Sequence, residues 1–319
     1  MPLLLDLALL PLPAPGKVIF GRSSPLVLEV GFGNGSFLLH LAKTHPDWNV
    51  LGADLSRGSV TRAWKRLRKA RVKNVRLHGG SALFLLRNVI APGDLSRVYV
   101  NFPDPWPKTR HASRRLFRTG FFPLLASRLT SDGALYVTTD EDAYLMRSQE
   151  LAKASGLFTI TIVPPPKATL ETKYARKWHS VNRTVNHAVF RKTDEPETSF
   201  PPDIERLSTM HHALLKGALP LPSRFDSIVH HFDGGQVVVL DVMRMVGADG
   251  LVFMVRTQES ELMQDVLIQV RPARARHADQ LISIMTFGQP LATRGTQEAA
   301  KAVTTWLQEH GLSIVETYY

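Results

Sequence analysis

The first two thirds of the chain alternate short apolar runs with longer stretches of helical spacing. Apolar runs of four to eight residues are typical of buried strands, whereas apolar positions three and four residues apart favour helices. Strands are predicted at 26–30, 49–53, 74–77, 95–100, 133–139, 158–163 and 185–190, and helices at 37–42, 57–71, 81–88, 116–129 and 141–154. This alternation predicts an α/β fold with a doubly wound, mostly parallel sheet.

A polar, proline-rich stretch at 194–202 is predicted to be a linker between a domain at 1–193 and a domain at 203–319. The pattern after the linker is different, because β-rich runs follow each other directly. Helices are predicted at 204–218 and 296–310, and strands at 236–242, 251–256, 266–270, 281–285 and 312–315. This pattern predicts a small α+β carboxyl-terminal domain, and no catalytic constellation is visible in it.

Charge is distributed unevenly between the two parts. Residues 1–193 hold 29 Lys and Arg against 12 Asp and Glu, whereas residues 194–319 carry a net charge of −6. The basic part favours a polyanionic partner such as nucleic acid; the alternative is charge that serves solubility alone. The cationic face of the helix at 57–71 has the same two interpretations, with equal weight. The chain has no Cys, which excludes disulfides, thiolate metal sites and cysteine nucleophiles.

A glycine turn, Gly31-Phe32-Gly33-Asn34-Gly35, joins the first strand to the helix that follows it. Glycines there let the backbone come close to a ligand, and the amino end of the helix favours a negative group. The spacing is G-x-G-x-G and differs from the dinucleotide pattern, so the turn alone is a weak signal. Asp54 ends the second strand, where an acid is placed to accept hydrogen bonds from ribose hydroxyls.

The fourth strand runs into Asn101-Phe102-Pro103-Asp104-Pro105-Trp106-Pro107-Lys108. The prolines forbid helix and central strand, so the chain is predicted to leave the sheet here as a rigid loop. The loop carries a carboxylate, a large ring and a cation, which suits a flat substrate; alternatively, Trp106 only caps the core. Right-handed crossovers predict that the glycine turn, Asp54, Ser81 and Asp104 meet in one crevice.

Together with the string Glu29 to Gly35, this loop resembles the bacterial tRNA (guanine-N7)-methyltransferases over residues 25–192. Arg114-Arg115-Leu116, Thr139-Asp140 and Thr172-Lys173-Tyr174 match the same family. The resemblance implies a class I, Rossmann-like methyltransferase fold and S-adenosylmethionine as cofactor. It also implies tRNA as partner and methylation of ring nitrogen 7 of a guanosine at position 46, in the variable loop.

Roles for individual residues follow from the same resemblance. Asp104 is the implied catalytic carboxylate. Cofactor contacts are implied for Glu29, Gly31, Phe32, Gly33, Asp54, Ser81, Asn101 and Phe102. Substrate contacts are implied for Lys108, Arg114, Arg115, Asp140, Thr172, Lys173 and Tyr174. Ser81 and Ala175 stand where the family usually has acids, which weakens one adenine contact and one guanine or cofactor contact. Asp140 has an alternative role as the N-cap of a helix starting at Glu141.

Two other functions stay open at this point. An exocyclic-amine nucleic-acid methyltransferase would carry a related loop, and a non-catalytic tRNA-binding protein could keep the fold. The carboxyl-terminal domain is assigned no single role: tRNA contact, a homodimer interface and protein binding are all compatible with it. Without an apolar run of transmembrane length or an export signal, the chain is expected to be cytoplasmic and not to bind a membrane. The His211-His212 and His230-His231 pairs lack the spacing of metal ligands, so no metal is expected.

Overall fold

The computed structural model describes residues 3–106, 110, 115–170 and 184–319. The chain divides into two compact units. The first combines Met1–Leu5 with Leu10–Pro202, and the second combines Asp6–Leu9 with Asp203–Tyr319.

Within the described part of the first unit, seven strands form one sheet in the order β3-β2-β1-β4-β5-β7-β6. Strands β1 to β5 are mutually parallel, and β7 runs antiparallel to both β5 and β6. The strands are β1 Leu26–Val30, β2 Asn49–Ala53, β3 Val75–His78, β4 Leu95–Asn101, β5 Leu129–Thr139, β6 Phe158–Ile162 and β7 Asn186–Lys192. The sheet is therefore mostly parallel, as the alternating pattern predicts.

Helices precede and connect the strands of this unit. They are α1 Gly16–Phe20, α2 Ser36–Thr44, α3 Arg57–Lys69, α4 Ala82–Phe84, α5 Phe121–Arg128, α6 Asp142–Ser155 and α7 Lys167–Leu170. The short α4 continues as a π-helix, Leu85–Val89. The helix predicted at 116–129 begins at Phe121, because Gly120 adopts a left-handed conformation (φ +85°) directly before it.

Helices α2 and α3 cover one side of the strands that carry the glycine turn. Val27 and Val50 from the sheet are buried together with Leu38 and Leu67 from these helices. The two helices approach closely at Gly35, where an added Cβ would lie 2.7 Å from the Cβ of Ala63. Close packing thus fixes the start of α2 against α3, and with it the turn that precedes α2.

The strand order reverses at β1, which lies between β2 and β4. In open α/β sheets the connections leave such a point in opposite directions and open a crevice at the carboxyl ends of the strands. The residues at these ends are Val30, Ala53 and Asn101. The fold therefore places the glycine turn, Asp54 and the proline-rich loop around one crevice.

The second unit is an antiparallel sheet with one long helix. Among its described residues, seven strands pair in the order β14-β8-β13-β12-β11-β10-β9. They are β8 His212–Lys216, β9 Ile228–Phe232, β10 Gly235–Arg244, β11 Leu251–Glu259, β12 Leu262–Pro272, β13 Gln280–Ile284 and β14 Ser313–Tyr318; the helix is α8 Arg294–Glu309, and Leu7–Leu9 form a 3-10 turn. Trp306 of α8 packs against Phe253 with ring centroids 5.3 Å apart.

The helix predicted at 204–218 is wrong, because residues 212–216 form strand β8. Ala213 and Leu215 are the buried positions, which is the two-residue period of a strand, and β8 pairs with β13 and β14. Strand β9 was not predicted. The apolar residues of β9 do not follow a regular spacing in the sequence, and the strand forms because it pairs with β10. The predicted α+β class of this domain is confirmed.

In the described part of the chain, no helix combines the length and the apolar character needed to cross a membrane.

Candidate functional site

A cleft of about 140 Å³ opens at the carboxyl ends of β1 and β4. Its lining includes six residues for which the sequence predicts cofactor contacts: Glu29, Gly31, Phe32, Gly33, Asn101 and Phe102. These residues come from two segments about seventy positions apart in the chain, and the parallel pairing of β1 with β4 brings them together.

The glycine turn forms one wall of this cleft. Gly31 and Gly33 have φ of +73° and +55°, a left-handed conformation that is costly for other residues. Neither has an atom within 4 Å of the position that a Cβ would take. A side chain at either position would therefore meet no protein neighbour and would occupy the space beside the backbone. The turn leaves its backbone accessible to a ligand in the cleft.

Two buried polar groups face this cleft without partners. Oε2 of Glu29 and Nδ2 of Asn101 have no hydrogen-bond partner among the described residues. Burial raises the pKa of Glu29 to about 8; the charge of Asp54 adds to the rise, and the nearby amide of Asn101 opposes it without reaching hydrogen-bond geometry. An unsatisfied buried group costs about 1–3 kcal/mol, so a ligand that satisfies both would be stabilised here.

Asp54 is held in place by backbone groups on both sides. Its Oδ2 accepts a hydrogen bond from the N–H of Gly33 (2.8 Å), and its Oδ1 accepts one from the N–H of Ser56 (2.8 Å). Burial raises the pKa of Asp54, and the charge of Asp104 contributes to the rise. Each oxygen retains a free lone pair, so the carboxylate is oriented by the glycine turn and can still accept from hydroxyl groups.

The proline-rich loop leaves β4 through strained backbone. Phe102 and Trp106 have φ of +53° and +42°, which costs a non-glycine residue about 1–2 kcal/mol. The N–H of Phe102 donates to the carbonyl of Thr138 (2.7 Å), and Nε and Nη2 of Arg115 both donate to the carbonyl of Trp106 (2.9 and 2.8 Å). The loop is thus fixed at both ends of its described part.

Asp104 lies on this loop with its side chain exposed. It contributes to the raised pKa of Asp54, so the two carboxylates are within electrostatic reach of each other. Burial also raises the pKa of Tyr144, a buried residue of α6, with Arg115 opposing the rise and Asp104 adding to it. Of the four groups predicted to meet in one crevice, the glycine turn lines the cleft, Asp54 bonds to this turn and Asp104 is within electrostatic reach of Asp54. Asp54, Asp104 and Ser81 are themselves absent from the lining of the cleft.

Ser81 and Asp140 are not among the residues that line the cleft. Ser81 caps α4, where its hydroxyl accepts hydrogen bonds from the N–H groups of Leu83 and Phe84, and it is absent from the lining of the cleft. The alternative that Asp140 caps a helix starting at Glu141 is wrong. Helix α6 begins at Asp142, and its N-cap is Glu141. The N–H of Glu141 donates to the hydroxyl of Thr139.

Five of the predicted substrate contacts lie outside the described residues. They are Lys108, Arg114, Thr172, Lys173 and Tyr174. Arg115 is described, and its guanidinium bonds to the loop carbonyl as given above.

Sequence reasoning missed part of the cleft wall. Asn34, Ser36, Ser59 and Arg62 also line the cleft. Arg62 donates to the hydroxyl of Ser59 (3.1 Å) and lowers the pKa of Asp54, opposing the effect of burial. The available signal was the position of Arg62 in the second turn of α3, the helix that follows β2 after a short connection.

The strand order with its antiparallel seventh strand, the left-handed glycine turn and the acid at the end of β2 define a class I methyltransferase domain. Residues 23–188 match the family model described as "Putative methyltransferase". The chain belongs to the tRNA (guanine-N(7)-)-methyltransferase family.

Three curated relatives with this name illustrate the membership. The protein of Thermus thermophilus is 43% identical over 94% of this chain and 94% of its own length. The protein of Deinococcus radiodurans is 38% identical over 92% of each chain. The protein of Thermotoga maritima is 35% identical over 64% of this chain and 65% of its own length. The first two relatives therefore extend through the carboxyl-terminal unit as well.

The raised pKa of Glu29 predicts a pH-dependent stability. The pKa of Glu29 is 4.5 in the unfolded chain and about 8 in the folded chain, so between these pH values only the folded chain binds the proton. The stability that this proton binding gives is lost as the pH rises through that window. Glu29→Gln cannot ionise. When the chains are unfolded by urea without cofactor, the free energy of unfolding of Glu29→Gln minus that of the wild type should rise by up to about 4 kcal/mol from pH 5 to pH 8. The exposed Glu150→Gln is the control, and curves for Glu29→Gln and wild type that stay parallel would contradict the prediction.

Proposed function

We propose that this chain transfers a methyl group from S-adenosylmethionine to ring nitrogen 7 of a guanosine in tRNA, forming 7-methylguanosine. By analogy with the family, the target is position 46 in the variable loop. The observation that carries the proposal is the cleft in which Oε2 of Glu29 and Nδ2 of Asn101 are buried without hydrogen-bond partners among the described residues, next to the loop that bears Asp104. The names of the curated relatives support the same reaction.

The residues of the cleft fit the cofactor. The carboxylate of Glu29 can accept from the ammonium of a methionine moiety, and the amide of Asn101 can donate to its carboxylate. Asp54, held by the N–H groups of Gly33 and Ser56, can accept from ribose hydroxyls. The open backbone at Gly31 and Gly33 leaves room for this ligand. The hydroxyl of Ser81 accepts from the N–H groups of Leu83 and Phe84 in capping α4, so a contact to adenine would compete with these bonds.

The chemistry sets modest demands on the protein. S-adenosylmethionine supplies its methyl group from a sulfonium, so the lone pair of the guanine nitrogen forms the new N–C bond while the S–C pair returns to sulfur. Nitrogen 7 bears no proton, and no general base is needed. The protein has to align the two reactants and exclude other geometries. It also has to stabilise the positive charge that the purine gains.

Asp104 is the carboxylate proposed for that role. It is exposed, lies on the proline-rich loop and is within electrostatic reach of Asp54 beside the cofactor cleft. A carboxylate can accept hydrogen bonds from the amino edge of guanine and stabilise the cationic product. Asp140, at the end of β5, is proposed to position the substrate.

The tRNA would meet the basic part of the chain. The excess of cations in residues 1–193 favours phosphate contacts, and Lys108, Arg114, Thr172, Lys173 and Tyr174 are the further contacts that we propose. With tRNA as its substrate, the enzyme is proposed to act in the cytoplasm. Assembly as a homodimer is a separate hypothesis, which sedimentation of the full chain would decide.

Asp104→Asn keeps the shape of the side chain and removes its charge. Transfer to unmodified tRNA at saturating substrates should fall by roughly 10² to 10³, with unchanged affinity for S-adenosylmethionine. The assay uses labelled cofactor and identifies the methylated nucleoside after digestion. Asp47→Asn, an exposed carboxylate on another loop, is the control. Label in an N-methylated adenine or cytosine would assign the exocyclic-amine reaction instead, and tRNA binding without transfer would contradict the proposed enzyme.

Arg115 fixes the loop through two donors on one carbonyl, a geometry that a lysine cannot reproduce. Arg115→Lys should therefore reduce the rate of transfer at saturating tRNA nearly as much as Arg115→Met, with little effect on cofactor affinity. If Arg115 served only as a charge for phosphate, Arg115→Lys would retain most of the rate. The rates of the two variants, measured side by side, distinguish these roles.

A further inference from the structure

A stripe of cations runs along the outer face of α3. Arg62, Lys65, Arg66 and Lys69 are exposed and spaced three and four residues apart, so they lie on one side of the helix. The sequence of α3 contains no acid. The stripe spans about 10 Å from its first to its last residue at 1.5 Å per residue.

These four side chains line a groove beside the cofactor cleft. The groove has a volume of about 530 Å³, and Asn34 and Leu39 contribute to its other wall. Nε of Arg66 donates to the carbonyl of Asn34 (3.0 Å), which fixes one cation against the glycine turn. Arg62 lines both the groove and the cofactor cleft, so the two are adjacent.

No carboxylate lines this groove, and none of the four cations forms an ion pair with a residue that the structure describes. Like charges three and four residues apart on a helix destabilise it by about 0.2–0.5 kcal/mol per pair. A merely solvated face gains nothing from such an arrangement. An anionic ligand would offset the repulsion, and it would have to be long enough to reach several cations together.

We propose that this groove is a binding site for consecutive phosphates of an RNA strand. The site lies outside the cofactor cleft and would hold the backbone of the same tRNA whose base enters the site at Asp104. This inference rests on the proposed function for the identity of the RNA. The contacts are electrostatic, so the groove would position the tRNA without reading its sequence.

The test replaces the two lysines of the groove. Lys65→Glu/Lys69→Glu spares Arg62, which lines the cofactor cleft, and Arg66, which bonds to Asn34. The control is Lys17→Glu/Lys153→Glu, which makes the same charge change at two exposed lysines on α1 and α6. The dissociation constant of unmodified tRNA is measured with each full-length chain at several salt concentrations, and cofactor affinity is measured by calorimetry.

The groove variant should bind tRNA at least roughly tenfold more weakly than the control, and its salt dependence, as the slope of log K against log salt, should be lower by about two. Its rate at saturating tRNA and its cofactor affinity should be unchanged. Equal weakening in both variants, or no weakening in either, would overturn the proposal, and so would a wild-type chain that binds no tRNA.

The same measurements separate this inference from the proposed function. Weakened tRNA binding by the groove variant supports the groove as a phosphate-binding site, even if the wild type methylates no guanosine. If the groove variant binds tRNA with wild-type affinity and still forms 7-methylguanosine, the groove is not a phosphate-binding site, and the proposed function stands.

Discussion

The site depends on a buried carboxyl group that the protein itself satisfies only in part. Glu29 lies at the end of a central strand, its Oε2 has no partner among the described residues, and burial raises its pKa to about 8. Asn101, at the end of the neighbouring strand, has an unsatisfied amide facing the same cleft. Two such groups reduce the stability of the empty protein. A ligand that carries a cation and an anion on one small framework, as the methionine part of the cofactor does, would satisfy both groups, and this is the contact that we propose.

The rest of the first unit positions groups around that pair. The reversal of strand order at β1 opens the crevice, and the left-handed glycine turn leaves the space beside Gly31 and Gly33 free of other atoms. The N–H of Gly33 orients Asp54, which connects the glycine turn to the second strand. The strained exit from β4 directs the proline-rich loop away from the sheet, and Arg115 holds that loop by the carbonyl of Trp106. The chemistry needs no proton transfer, so the protein contributes by holding the reacting groups in place and by stabilising charge.

The sequence was sufficient to predict strands that depend on a local apolar pattern. It also predicted which segments the strand topology brings together. The strands at 26–30 and 49–53 have the predicted bounds, and the parallel order brings Glu29 and Asn101 together as right-handed crossovers require. Residues 212–216 could not be predicted as a strand, because their pairing with β13 and β14 overrides a helix-like pattern. The N-cap of α6 and the place of Arg62 over the cleft depend on where helices start, which patterns locate poorly.

The most direct test of this account is the proton balance of cofactor binding. Calorimetry of S-adenosylmethionine binding at pH 6.5, in buffers with different ionisation enthalpies, measures the protons exchanged. If Glu29 is neutral in the empty cleft and ionised against the ligand's ammonium, the wild-type chain should release about one proton per cofactor bound, and Glu29→Gln should release none. A wild-type enthalpy that does not depend on the buffer would contradict the account, because Glu29 would then not be the group that the ligand satisfies.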